Sequence, residues 1–201
     1  MQEFTITVDT LSPMHLASGK ADIIIDSEIV HDRYGIPYFP AKRLKGLLYE
    51  SALELAEMSN EKLITVAAIE RVFGHGDSPR AQFTLSNLYV EEYKQRRKEW
   101  AYLEQTYAGL FNRVSVLDSY TDIRYQTAID SANGVAAEGS LRNLRVVDAG
   151  LRFVGRLTLQ TDEKEAADML AWACKNIRHV GAKRNRGCGR VAITLQKSKG
   201  V

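Results

Sequence analysis

Alternating apolar and polar residues identify several short segments of this chain as candidate strands. Residues 2–10 place Phe4, Ile6 and Val8 on one face, which is the pattern of a strand with one buried side. Strand-like segments also lie at about 81–91, 151–159 and 191–195. The apolar run that begins at Ile23 predicts a further strand over about 23–30.

Apolar residues at helical spacing predict four helices. Leu44, Leu47, Leu48, Ala52 and Leu55 recur at helical spacing and predict the buried face of a helix over about 41–58. Further helices are predicted at about 61–73, ending at Gly74, at about 92–110 and at about 163–178. In the helix at about 92–110, the residues expected to face inward are Trp100, Leu103, Tyr107 and Leu110.

The resulting order is strand, helix, strand, strand, helix, strand, with long insertions. This order predicts an α+β fold with a ferredoxin-like, RNA-recognition-like βαββαβ core. A length of 201 residues with 45% hydrophobic content fits a single domain, with insertions at about 11–40 and 92–150. Few large apolar side chains occur between Ala128 and Ser140, so this part of the second insertion is expected to be a projecting hairpin or mobile loop.

The segment that runs from Gly35 to Gly46 joins an extended stretch to a helix start. Pro37 and Pro40 disfavour helical backbone in the residues before them, and Pro40 itself suits the first turn of a helix. That turn carries three cations, namely Lys42, Arg43 and Lys45. Free backbone N–H groups, the positive end of the helix dipole and the cations together indicate a phosphate site. A solvated helix start is the alternative interpretation.

A second basic segment spans residues 178–190, and it contains five Arg or Lys residues, no acid and three glycines. Glycine permits positive φ or a close approach of the backbone to a ligand, and arginine can bind phosphate through two N–H groups. The segment is neither a Walker loop nor a dinucleotide fingerprint, since the Gly-Lys-Ser/Thr ending is absent and a strand follows. A plain basic hairpin loop would have the same composition.

Net charge and cysteine usage narrow the class of protein. The net charge of +2 excludes a uniformly basic nucleic-acid binder, yet basic residues cluster at 42–45, 94–98 and 178–190. The two cysteines form no CxxC pair, and the sequence shows no signal peptide or long apolar run. We therefore expect a cytoplasmic protein that binds no membrane. The four histidines lack metal-ligand spacing, so no zinc site is predicted.

Taken together, GIPYFPAKRLKGLLY and the later GAKRNRGCGRV resemble two motifs of the RAMP superfamily of CRISPR-associated proteins. The resemblance is greatest to the backbone subunit of type III effector complexes. It extends over most of the chain, through Ile25-Asp26-Ser27, Arg71-Val72-Phe73-Gly74 and the segment from Thr121 to Asp130. The departures from the family pattern are Ala41, Lys42 and Arg43 in place of Gly-Ser-Ser, Tyr49 in place of Arg, and Ala182 and Cys188 in place of Gly and Tyr.

The resemblance implies a subunit that binds crRNA, the guide RNA of the complex. Its RNA-binding residues would be Lys42, Arg43, Lys45, Gly181, Lys183, Arg184, Arg186, Gly187, Gly189 and Arg190. A thumb-like segment at about 118–145, including Ile129 and Asp130, would reach over the guide–target duplex held by the neighbouring subunit. The implied partners are crRNA, complementary target RNA, copies of this chain or paralogous subunits, and other Cas proteins.

Asp26 occupies the position of the family residue that cuts target RNA. Its carboxylate could position a divalent cation, most simply magnesium, or a ribose 2′-OH for attack on a phosphodiester. An Asp in a turn is the alternative interpretation, and Asp22 and Asp32 are further candidates. No second carboxylate lies at a two-metal spacing, so Asp26 is the one possible metal ligand that we name.

Four functions remain open on the sequence alone. The first is a backbone subunit that binds crRNA and acts as a metal-dependent endoribonuclease within the assembled complex. The second is a backbone subunit that binds RNA while another protein cuts it. The third is an endoribonuclease that processes precursor crRNA, with His15 or His31 as general base. The fourth is a ferredoxin-like domain with a small-molecule ligand, which the two basic, glycine-containing segments argue against.

Overall fold

An antiparallel sheet forms one layer of this α+β protein. The computed structural model describes residues 1–21, 25–76, 80–131 and 133–198. Strand β1 (Gln2–Thr10) lies between β7 (Arg152–Leu159) and β8 (Val191–Lys197), and it is antiparallel to both. β7 also pairs with β3 (Phe83–Leu85) and β4 (Leu88–Val90). The sheet ends at β2 (Tyr38–Phe39), which pairs with β4.

Three of the helices cover one face of this sheet. Helix α1 (Ala41–Met58) packs against α5 (Lys164–Asn176), and α2 (Val66–Phe73) contacts α1. Of the predicted inner positions of α1, Leu44, Leu48 and Ala52 are fully buried, whereas Leu47 and Leu55 are partly buried. Alternate residues of β1 are also buried. The bounds predicted for β1 and α1 are therefore confirmed, because each element follows one clear apolar period.

The predicted strand at 81–91 forms as two short strands. Leu85 of β3 pairs with Leu157, whereas Tyr89 of β4 pairs with Val154. The chain therefore advances four residues from Leu85 to Tyr89 while β7 advances three. The extra residue is a bulge at Ser86 and Asn87. The bulge turns the Asn87 side chain toward the start of α1, where its Oδ1 accepts the Ala41 N–H at 2.9 Å.

The predicted strand at 23–30 is wrong for the part that the structure describes, and residues 23 and 24 lie outside that part. Residues 25–30 make isolated bridges, such as Ser27 to Leu144 and Ile29 to Ala17. The Asp26 N–H donates to the Asn143 side chain and not to a neighbouring strand. A continuous ladder does not form because some backbone N–H groups of this segment, such as that of Asp26, are hydrogen-bonded to side chains.

Two helix predictions need correction. The helix predicted from residue 61 begins at Val66, because Asn60 and Glu61 adopt positive φ after α1 and Thr65 supplies the N-cap. Helix α3 (Tyr93–Thr106) buries no residue completely. Tyr107 and Leu110, predicted to face inward, lie beyond its end and are 50% and 73% exposed.

The second insertion contains a helix that the sequence pattern did not predict and a hairpin that it did. Short helix α4 (Arg113–Asp118) is capped by Asn112. Strands β5 (Thr121–Gln126) and β6 (Arg142–Val147) then form a separate two-stranded antiparallel sheet. Ile129 is exposed in the loop that joins them, and the Asp130 N–H donates to the Val135 carbonyl at 2.8 Å. A hairpin is present, with Leu144, Arg145, Val146 and Val147 of β6 buried, and its action as a thumb stays a prediction.

Within the described ranges, every helix is too short or too polar to cross a lipid bilayer.

Candidate nucleic-acid interface

Residues 14–18, here called the connecting segment, contact all three elements that the sequence analysis singled out. The His15 carbonyl accepts the Ala182 N–H of the second basic segment, residues 178–190, here called the basic loop, at 3.0 Å. The Arg43 guanidinium of α1 donates to the Ala17 carbonyl. The His15 ring lies 3.0 Å from the Ser27 hydroxyl, next to Asp26. Folding therefore gathers the basic loop, the start of α1 and residues 25–27, here called the Asp26 turn, around one short segment.

The start of α1 is less open than predicted. The Ala41 N–H is bonded to Asn87, so one of the free amides expected for phosphate is already used. Lys42 and Arg43 are exposed. Lys45 instead lies with its Nζ 5.7 Å from the centre of the Phe83 ring on β3. The structure thus keeps Lys42 and Arg43 together and places Lys45 apart from them.

Lys42 and Arg43 line a cleft of about 700 Å³ between the start of α1 and residues 28–31, with Ser18 of the connecting segment also on its wall. The other charged or aromatic residues of its wall are Lys20, Glu28, His31 and Tyr38. Glu28 contributes one negative charge, but its carboxylate forms an ion pair with Arg145 at 3.1 Å. The cleft therefore presents a positive surface, which suits an anion.

The basic loop, residues 178–190, owes its shape to three glycines with positive φ. Gly181, Gly187 and Gly189 have φ values of 78°, 75° and 81°, as glycine permits. A Cβ on Gly181 would collide with the His15 carbonyl, and one on Gly189 with the Val180 carbonyl. A Cβ on Gly187 would meet open space. The first two glycines therefore serve close packing within the chain, and only Gly187 is free to approach a ligand.

The cations of the basic loop are exposed and lie beside the hairpin. Lys183, Arg184, Arg186 and Arg190 all face solvent. Arg186 approaches the Gln126 side chain at 3.5 Å, and Arg124 approaches Cys188 at 3.4 Å. Arg124 and Gln126 were not predicted as part of the site. Their spacing on one face of β5 is the only sequence signal that could have paired them.

Asp26 is exposed and paired with Asn143 of β6. The Asp26 N–H donates to Asn143 Oδ1 at 2.7 Å, and the Asn143 N–H donates to Asp26 Oδ2 at 2.8 Å. This reciprocal pair fixes the backbone and one carboxylate oxygen of Asp26. Among the described residues, no group of three or more His, Cys, Asp or Glu side chains could hold a metal ion.

Asp32 and Asp22 were the further candidates for the cleavage residue. Asp32 accepts the N–H groups of Tyr34 and Ile36, both at 2.9 Å, and the Tyr93 hydroxyl at 2.9 Å. Its carboxylate holds its own turn, so the structure argues against Asp32 as a cleavage residue. Asp22 lies outside the described residues.

His15 is buried and its tautomer follows from its partners. Nδ1 lies 2.7 Å from the Arg145 carbonyl, which can only accept, so Nδ1 carries the hydrogen. Nε2 then accepts from the Ser27 hydroxyl. Burial lowers the pKa of His15 from its usual value near 6.5, and the ring is therefore neutral at pH 7. His31 bonds through Nδ1 to the Asp32 carbonyl at 2.7 Å.

Arg145 is a buried residue that the sequence analysis did not predict. Its guanidinium contacts Glu28 Oε1 at 3.1 Å, Asp118 Oδ1 at 2.6 Å and Thr121 Oγ1 at 3.0 Å. It joins the Asp26 turn to the hairpin, because its own N–H donates to the Ser27 carbonyl. Arg145 is the main polar link beneath the site.

Comparisons with known proteins concern the family and the fold of this chain. The sequence model of the RAMP superfamily matches residues 7–192. A search of curated protein sequences found no match. Among solved structures, the chain is similar to one in the Type III-B Cmr-beta bound to cognate target RNA, with 15% identity, 97% of both chains covered and a TM-score of 0.69. A chain of the Type III-B Cmr-beta apo state gives 16% identity, 98% coverage of both and a TM-score of 0.67. At these identities the likeness shows a shared fold.

Proposed function

This chain belongs to the RAMP superfamily, and from that premise we propose that it is a crRNA-binding backbone subunit of a type III CRISPR effector complex. The observation that carries the proposal is the meeting of the basic loop, Arg43 and the Asp26 turn at the connecting segment. The solved chains with the same fold come from Type III-B Cmr-beta, in one case bound to cognate target RNA, which supports it.

We also infer a ferredoxin-like core. The order β4-β7-β1-β8 supports this inference, because β1 is central and all its pairings are antiparallel. Helix α1 follows β1, and α5 joins β7 to β8, as a βαββαβ unit requires. In this arrangement the basic loop connects the second core helix to the last strand.

Guide RNA is bound in this proposal through its phosphates. Lys42 and Arg43 at the cleft and the exposed cations of the basic loop provide charge without a pattern for reading bases. Phosphate contacts set position and carry no sequence information, which suits a subunit that must hold any guide. Lys45, over the Phe83 ring, contributes to the same positive field from a greater distance.

Target cleavage is assigned to Asp26. The side chain is exposed, so it can reach an RNA strand, and its pair with Asn143 fixes its direction. The carboxylate would accept a hydrogen bond from a ribose 2′-OH and so orient it toward the adjacent phosphorus. A magnesium ion commonly uses one or two carboxylates together with substrate phosphates. Asp26 could serve as the protein ligand, and the ion would then stabilise negative charge on the phosphate.

A binding-only backbone subunit is the second candidate function. It is favoured by the Asp26–Asn143 pair, which gives Asp26 a structural task, and by the lack of a multi-ligand metal group in the described residues. Processing of precursor crRNA is not supported at His15, which is buried with both ring nitrogens bonded. His31, the other candidate base, lines the cleft, and its role in processing stays a prediction.

Replacing both Lys42 and Arg43 with alanine should weaken RNA binding about equally for any RNA sequence. Each phosphate contact to a single strand contributes about 0.7 to the slope of log affinity against log salt, so the slope should fall by about 1.4. Salt titrations measure the slope, and native mass spectrometry with a long RNA should show successive binding of wild-type copies. Lys45→Ala is the matched control, with a smaller change. An unchanged slope in the double variant, or an RNA-free wild-type monomer, contradicts the proposal.

Gly187→Val should lower RNA binding while the fold is retained. A side chain at this left-handed position costs about 1–2 kcal/mol of stability but meets no neighbouring atom. Gly189→Val is the control for a packing role, and it should unfold at a much lower temperature because its Cβ collides with the Val180 carbonyl. Circular dichroism melting and RNA affinity separate the two effects. Normal RNA binding by Gly187→Val would show that the loop does not contact RNA.

A further inference from the structure

Three tyrosines form a row at the edge of the main sheet. Tyr38 and Tyr89 are paired residues on β2 and β4, with ring centres 5.7 Å apart and planes inclined by 33°. Tyr89 stacks on Tyr93 at 4.2 Å and 22°. The neighbours Phe39 and Leu88 are fully buried in the core. Because side chains alternate along strands, the tyrosines lie on the opposite face of the sheet.

The row is held rigidly at its Tyr93 end. The Tyr93 hydroxyl donates to Asp32 Oδ2 at 2.9 Å, and Asp32 is itself fixed by two backbone N–H groups. Burial and the bond to Asp32 raise the pKa of Tyr93 to about 12. The phenol therefore stays neutral at physiological pH, and Tyr89 rests on a ring that is anchored.

The row ends at the cleft. Tyr38 is half-buried and lines the 700 Å³ space together with the exposed cations Lys20, Lys42 and Arg43. This volume lies within the range of roughly 300–1,000 Å³ that is typical of small-molecule pockets. A supported aromatic ring and cations thus border one cavity, and this combination suits a ligand with both a flat ring and a phosphate.

We propose that the cleft holds one nucleotide of single-stranded RNA, with its base stacked on Tyr38 and its phosphate bound by Lys42 and Arg43. Every base has a π face, so stacking on an aromatic side chain tolerates any sequence. The inference rests on the proposed function, since it names how the same RNA is held. It adds base stacking to a site that was argued above from phosphate contacts alone.

Tyr38→Leu removes the ring and keeps an apolar side chain, whereas Tyr38→Phe keeps the ring. Affinities are measured for a short single-stranded RNA and for an RNA of equal length with abasic sites. Tyr38→Leu should bind the intact RNA about 10-fold more weakly than wild type, and the abasic RNA less than about 2-fold more weakly. Tyr38→Phe should bind both like wild type. Tyr102→Leu, at a tyrosine 63% exposed on α3, is the matched control and should change neither.

Tyr38→Trp provides a second measurement that does not depend on a loss of affinity. Stacking of a base on the new indole should quench its fluorescence when intact RNA is added, relative to the wild-type protein, and abasic RNA should not. Thermal unfolding of each variant shows whether the fold is kept. If Tyr38→Leu unfolds, the fluorescence of Tyr38→Trp still decides the question.

Several outcomes would overturn the inference. One is that Tyr38→Leu weakens the binding of intact RNA and of abasic RNA equally. Another is that intact RNA does not quench the fluorescence of Tyr38→Trp. A third is that a polyglutamate peptide displaces RNA and that Tyr38→Leu weakens binding of this peptide as much as binding of RNA. The cleft would then be a general anion site or a protein-binding site. If the double variant Lys42→Ala/Arg43→Ala loses RNA binding while Tyr38→Leu keeps it, the stacking inference is contradicted and the proposed function is not. If the double variant binds like wild type, the proposed function fails as well.

Discussion

Replacing Asp26 with alanine is expected to abolish cleavage of complementary RNA while RNA binding stays nearly intact. A positioned acid or base contributes roughly 10²–10⁴-fold to a rate, so the cleavage rate should fall by at least about 100-fold. Loss of a group used only in the transition state changes the rate and not the affinity. Cleavage is measured in the assembled complex, because a single subunit need not present a guide–target duplex. Chelation of divalent cations with EDTA should have the same effect.

Asp26→Asn is the matched variant for this experiment. Its side-chain oxygen can still accept the Asn143 N–H, so the turn should keep its shape while the negative charge is lost. Both variants should cut at the same low rate if the charge is what matters. A wild-type rate in Asp26→Ala would favour the binding-only subunit. Loss in Asp26→Ala with full activity in Asp26→Asn would instead assign Asp26 a purely structural role.

Arg145→Ala is expected to lower the free energy of unfolding by about 3–5 kcal/mol, because it leaves a largely buried carboxylate without its cation. The side chains of Arg145 and Glu28 are only 7% and 14% exposed. The substitution also removes the bonds to Asp118 and Thr121. Urea unfolding followed by circular dichroism measures the change.

Arg142→Ala is the control for Arg145→Ala, since Arg142 lies on the same strand with its side chain exposed. It should change the free energy of unfolding by less than about 0.5 kcal/mol, as is usual for surface sites. A similarly small change in Arg145→Ala would contradict the structural role given to the buried ion pair. The double variant Arg145→Ala/Glu28→Ala should recover part of the loss, because neither charge is then left alone.

Elements with one strong apolar period could be predicted from the sequence. Helix α1 and strand β1 have such a period, and their bounds agree with the prediction. Helix α3 is mostly charged and buries no residue completely, so its inner face had no clear signal. The helix predicted from residue 61 was too long because nothing in the pattern reveals that Asn60 and Glu61 adopt positive φ.

The cations of the site could be predicted from the sequence, but the contacts between its residues could not. Lys42, Arg43 and the basic loop stand out in composition, whereas the Asp26–Asn143 pair joins residues 117 positions apart. Propensity and periodicity describe only local sequence, so they cannot find such a pair. The same limit applies to Arg145, a charged residue that is buried only because Glu28 and Asp118 fold onto it.

The central position of β1 has a consequence for how the chain folds. This strand precedes both of its partners along the chain, and its register pairs Gln2 with Leu159 and Thr10 with Val191. During synthesis the backbone N–H and C=O groups along both edges of β1 therefore have no strand partner until β7 has left the ribosome. Contacts between distant parts of a sequence slow folding and leave apolar strands exposed to aggregation. We expect the nascent chain to depend on chaperones, and chains that are truncated before β7 to be insoluble.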